Sequence, residues 1–139
     1  MKSLVVYEDQ SQFGWDGDDG IGEMLIQQII AGIKTATCTP KVSFEPNELR
    51  TTYASVGKML TVIDKRGTPR CNIRMLSVCE TTFGNPDPRL VVGEGDGDDV
   101  DKFKRDHHRA WKGMAAEAIP LTDETILIAE FFEFVEMAN

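Results

Sequence analysis

Residues 22–41 read GEMLIQQIIAGIKTATCTPK, and this stretch sets the architecture. Leu25, Ile26, Ile29, Ile30 and Ile33 recur at threes and fours while Gln27 and Gln28 fall on the other side, the spacing of a short amphipathic helix with one face in a core. The pattern predicts a helix over 22–33. Gly32 near its far end suits a sharp turn of the chain. Upstream, the run Asp16-Gly17-Asp18-Asp19 offers side chains that cap a helix start. Downstream, residues 34–41 are rich in threonine and prone to strand until Pro40 interrupts them.

Working outward, KMLTVID over 58–64, the turn KRGTP and RCNIRMLSVCETTF over 70–83 predict a β-hairpin. On its second strand Cys71, Ile73 and Met75 share one face, and Arg70, Asn72 and Arg74 the other, which reads as solvated. Residues 43–55 are polar without a period and are expected to form a long loop across an edge or mouth of the fold. Val100, Phe103, His107, Trp111 and Met114 predict a second helix over 100–114, with Asp98 and Asp99 where caps belong. The run ILIAEFFEFVEM over 126–137 is apolar on both alternating faces apart from its glutamates, as expected of a central strand covered on each side. This order of elements suits a small α+β barrel rather than a doubly wound sheet.

The composition bounds the possibilities further. A chain of 139 residues, 41% hydrophobic and 27% charged, has the size and balance of one domain spanning 1–139. The formal charge of −8 opposes nonspecific grip on long nucleic acid, yet leaves room for a nucleoside or a short single strand in a locally basic cleft. The opening apolar run meets Glu8 and Asp9 too soon for a secretory signal, and no later run reaches membrane-spanning length, so a cytoplasmic location is expected. Cys38, Cys71 and Cys79 show no CxxC spacing, which argues against a disulfide framework and a structural zinc site. They read as buried apolar residues, and no metal or other cofactor is expected.

Gly32-Ile33-Lys34-Thr35-Ala36-Thr37 places a basic residue and two hydroxyls where a helix hands over to a strand. It is not a P-loop, because the spacing G-x-x-x-x-G-K-[ST] is absent and the lysine follows its helix. Around it stand Phe13-Gly14, Gly57-Lys58, Cys71-Asn72-Ile73-Arg74, Gly93-Glu94-Gly95-Asp96 and Glu130-Phe131. In this order these segments resemble the ASCH family, in the bacterial branch with a G-x-K-T-x-T turn, here Gly32 to Thr37, and an E-G-x-G-D stretch, here Glu94 to Asp98. The resemblance implies a PUA-like β-barrel of about five or six strands with flanking helices. It also implies a cleft beside the first helix, on a surface used in the family for RNA, nucleosides and modified bases. Relatives remove the acetyl group from the exocyclic amine of acetylcytidine, or cleave single-stranded RNA. The catalytic lysine, threonine and glutamate of the amidohydrolases match Lys34, Thr37 and Glu94.

These residue types suit the chemistry. An amide carbonyl needs a nucleophile and a stabiliser for its developing oxyanion, and a threonine hydroxyl needs a base. Lys34 serves either as that base or as a cation polarising the carbonyl, with Glu94 orienting the exocyclic nitrogen or carrying its proton. Residues three apart meet on a helical turn and diverge on a strand, so direct contact of Lys34 with Thr37 requires a turn there. In an extended segment Thr35, Thr39 or a water takes over as nucleophile. Trp15 and Tyr53 are candidates for stacking a base, Arg74 for a base edge or phosphate, and Thr35 and His108 for further substrate contacts. His107 lies on the apolar stripe and reads as a core-edge residue. Neither acidic run satisfies the calcium-loop pattern. The expected partners are a nucleoside or short single-stranded RNA, with no membrane and no metal, and a homodimer is left open. A metal-independent ribonuclease for single-stranded RNA, with Lys34 on the scissile phosphate and Tyr53 or a histidine assisting proton transfer, and a noncatalytic binding module are the rival readings.

Overall fold

The computed structural model describes residues 4–112 and 121–138. Five strands form one mixed sheet in the order β1-β3-β4-β5-β2. The chain runs through β1 (Gln10–Gln12), α1 (Ile21–Ile30), β2 (Ala36–Pro40), a single 3-10 turn (Lys41–Ser43) and α2 (Pro46–Ala54). It continues through β3 (Met59–Ile63), β4 (Pro69–Thr82), α3 (Pro88–Gly93), α4 (Val100–Lys112) and β5 (Ile126–Met137). Strands β1 and β3 pair in parallel; the β3–β4 hairpin, β4–β5 and β5–β2 are antiparallel. The fold is α+β, a mixed sheet with helices packed against it.

The expected PUA-like β-barrel is not closed among the described residues, where β1 and β2 end the sheet without pairing to each other. Strand β4 is irregular, its pairing with β5 shifting register at Asn72/Ile73 and at Met75/Ser77. Such irregularities bend a strand and increase its twist. They let this long strand serve two cores in succession. The first packs Ile26 and Ile29 of α1 against Leu60, Val62, Cys71, Ile73, Met75 and Phe132. The second packs Leu90 and Val91 of α3 and Phe103 of α4 against Ala36, Cys38, Leu127 and Ala129. Burying each large aliphatic or aromatic side chain of this kind stabilises by roughly 1.5–3 kcal/mol.

Four expectations change. Residues 43–55 are not a loop, since α2 occupies most of them; Pro46 sits in its first turn, and the Glu48 side chain accepts the Glu45 N–H at 2.9 Å. These local devices replace the missing apolar stripe. β5 is not covered throughout: Leu127–Ala129 are buried, whereas Glu133, Val135 and Met137 are exposed. Asn72 is fully buried rather than solvated, held by the Thr61 hydroxyl at 2.8 Å and donating to Val5 O at 2.8 Å and Glu136 Oε1 at 2.9 Å. The predicted end of the second helix at Met114 lies outside the described residues, and α1 stops three residues short of Ile33.

Candidate functional site

A cavity of about 670 Å³ lies where the sheet fails to close, bordered by Gln12 of one terminal strand and by Thr37 and Thr39 of the other. Helix α1 lines it with Ile21, Met24, Leu25 and Gln28, and α4 with His107, Arg109 and Trp111. Its size falls in the range that holds a small molecule.

The wall carrying Phe13, Gly14 and Trp15 is tied down by Asp18, which is only 3% exposed. The Asp18 carboxylate accepts the N–H of Gly22 at 2.9 Å, of Gly20 at 3.1 Å and of Trp15 at 3.3 Å, and meets Lys65 Nζ at 3.3 Å. The Gly22 hydrogen bond leads the influences that hold its pKa below the usual carboxylate value.

Lys34 is delivered by the end of α1. Gly32 at φ 77° ends the helix, and the N–H groups of Ile33 and Lys34 both turn back to Gln28 O, at 2.9 and 3.0 Å. The side chain that follows is 1% exposed, with Nζ donating to Ala36 O at 2.7 Å and forming an ion pair with Glu94 Oε1. Glu94 comes from the end of α3, where Gly93 lets the helix approach β2 closely; a Cβ on Gly93 would stand 2.5 Å from Ala36 Cβ. The Thr35 N–H fastens the same junction to Gly93 O at 2.6 Å. Residues 60 apart in sequence thus share one buried corner.

Two further groups complete the corner. Glu94 Oε2 lies 2.6 Å from His107 Nε2 and accepts from Cys38 Sγ at 3.2 Å. His107 Nδ1 is 2.7 Å from Phe103 O, and a carbonyl only accepts, so Nδ1 carries a proton and Nε2 is the nitrogen turned to the site. Burial by itself would raise the Glu94 carboxyl, but the charges and hydrogen bonds of Lys34 and His107 outweigh it and hold the pKa down to about 2. Burial pushes the His107 imidazolium the other way, and Glu94 prevails to raise it. The Cys38 thiol is pushed well above its ordinary value, by burial first and then by Glu94. Glu130, opposite Thr37 on β5, is raised to about 7 by burial, against the pull of Lys34.

Of the residues expected from sequence, Trp15, Lys34, Thr37 and Glu94 line the cavity together. The segment is already extended at Thr37, and Lys34 finds Glu94 rather than the threonine hydroxyl. Thr35 is exposed and does not border the cavity. Neither do Tyr53, 40% exposed on α2; Arg74, 3.9 Å from Glu133 on the neighbouring strand; and His108, which packs edge-on against Phe83. Sequence reasoning passed over Cys38, His107, Gln28 and the ion-paired set Asp96–Lys102–Asp106 at the rim. The available signal was a histidine set within an apolar stripe, one turn from Phe103.

A model of the ASCH domain family matches residues 11–136. The chain belongs to the ASCH domain family. This family is linked to RNA binding. Among solved structures, this ASCH chain is similar to protein EF3133 from Enterococcus faecalis, at TM-score 0.75 and 21% identity over 96% of this chain and 80% of that one. It is also similar to an ASCH domain from Lactobacillus crispatus, at TM-score 0.68 and 20% identity over 94% and 82% of the two chains. At these identities the likeness is one of fold. No protein of curated function matches the sequence. Among the described residues, no helix is long and apolar enough to cross a membrane.

Proposed function

We propose that this ASCH domain hydrolyses the amide of an acylated cytidine-type nucleoside, with Lys34 and Glu94 as its central pair. The observation that carries the reading is the buried Lys34–Glu94 ion pair at the floor of a nucleoside-sized cavity. Trp15 offers a face on which a base stacks, and Gln28 offers both a donor and an acceptor. An ammonium has three N–H groups, and two are spent on Ala36 O and Glu94. The third is left for the substrate carbonyl, where it stabilises the oxyanion that forms.

Water is the favoured nucleophile, since Lys34 is engaged with Glu94 and not with the Thr37 hydroxyl. Glu94 takes a proton as the water oxygen bonds to the acyl carbon, then returns it to the exocyclic nitrogen as the carbon–nitrogen bond breaks. The products are the free nucleoside and a carboxylic acid, which ionises by releasing its proton to solvent. Thr37, on the cavity wall, positions the water or the acyl oxygen. The test is release of cytidine from acetylcytidine by the purified protein, compared with Lys34→Ala and Glu94→Gln. Each variant is expected to lose at least ~10²-fold in turnover, the scale of a lost acid–base group. Absence of turnover by the native protein on acylated cytidines would overturn the reading. A nucleoside bound and recovered unchanged would favour a binding module.

Cleavage of single-stranded RNA is the weaker reading. Lys34 is buried against Glu94, where a phosphate would meet a carboxylate, and Tyr53 lies off the cavity.

A further inference from the structure

We infer that the same corner takes a soft divalent cation of the zinc class, held by Cys38 Sγ, Glu94 Oε2 and His107 Nε2. One ligand atom from each of these residues lies within 4.8 Å of the other two, and all three residues line the cavity. Thiolate, imidazole and carboxylate are the donor types zinc prefers, and three protein ligands with a fourth position open to a cleft is the arrangement of reactive zinc sites. Tetrahedral coordination asks for ligand spacings of roughly 3.4 Å. Cys38 and Glu94 already stand 3.2 Å apart, and His107 and Glu94 at 2.6 Å need to part by under ~1 Å.

The surroundings are those of a ligand set. Metal-bound histidines generally give their other ring proton to a carbonyl or carboxylate, and His107 Nδ1 already faces Phe103 O at 2.7 Å. Glu94 divides its oxygens, Oε1 to Lys34 and Oε2 to the shared corner, so the ion pair with Lys34 survives occupancy. The exchange balances in charge: one divalent cation enters, and the thiol proton of Cys38 and the imidazolium proton on Nε2 leave to solvent. Lys34 therefore faces no new net charge.

This inference is independent of the deacylation reading. Where both hold, the bound ion takes Glu94 out of proton transfer and suppresses turnover. Cobalt(II) is the direct probe, because a thiolate–cobalt bond gives a near-ultraviolet charge-transfer band and tetrahedral coordination gives visible bands. The expected result is one equivalent bound to the full chain with both features, and displacement by zinc. Cys38→Ser is expected to abolish the charge-transfer band, and His107→Gln to weaken binding at least tenfold, both with unchanged far-ultraviolet circular dichroism. Absence of the band at saturating cobalt, or a band that persists in Cys38→Ser, overturns the inference.

Discussion

Lys34 is the side chain on which most of the site's electrostatics converge. Removing it strands Glu94 with His107 as its remaining charged partner in a buried corner, and breaking such a pair costs about 3 to 5 kcal/mol. Lys34→Ala is therefore expected to lose about that much in urea denaturation, and Lys34→Met combined with Glu94→Gln to recover most of it. Glu130 behaves oppositely. Its folded pKa is raised to about 7, so its contribution is fully present below the ordinary carboxyl value of 4.5 and is lost as pH rises through 7. At about 1.4 kcal/mol per unit, Glu130→Gln gains up to about 3 kcal/mol over the native protein at pH 8 and little at pH 4.5. A pH-independent difference between the two proteins in denaturant titrations would contradict this. Lys34, Thr37 and Glu94 were legible as candidates because their segments carry a family pattern. His107 was not, because a periodicity argument sees only that it shares a stripe with Phe103 and cannot see what α3 brings to that stripe.

At the scale of elements, the site depends on how closely α3 sits on β2. Gly93 sets that distance, and the Cβ of Gly93→Ala would fall 2.5 Å from Ala36 Cβ and 3.2 Å from Ala36 N. The helix must back away and carry Glu94 with it. We expect Gly93→Ala to lose about 1–3 kcal/mol of stability, the usual cost of overpacking, and to lower deacylation more than Thr35→Ala, which leaves the helix in place. Equal effects would show that the helix is not what positions Glu94. Apolar periodicity made α1, α4 and the hairpin readable before any coordinates. Helix α2 escaped because its polar sequence has no stripe; Pro46 and the Glu45/Glu48 pair, visible in the sequence, were the signal to follow.

Across the whole molecule, a net charge of −8 sets what reaches the cavity. Rim cations at Lys102 and Arg109 border it, but Lys102 is already shared by Asp96 and Asp106. Nucleoside affinity is accordingly expected to change less than twofold between low and physiological salt, whereas any association with long RNA should weaken steeply; calorimetry for the first and fluorescence anisotropy for the second measure this. A steep salt dependence for the nucleoside would mean that phosphate recognition is the real task. The barrel expected from family resemblance is not closed among the described residues: register shifts in β4 mark where a strand bends, while nothing in a sequence states whether the two ends of its sheet meet. That open seam has a mechanical consequence. A molecule wedged between Gln12 and Thr37 braces two strands that share no hydrogen bond, so occupancy should slow amide exchange along β1 and β2 together, stiffening distant margins of the sheet as a keystone does an arch.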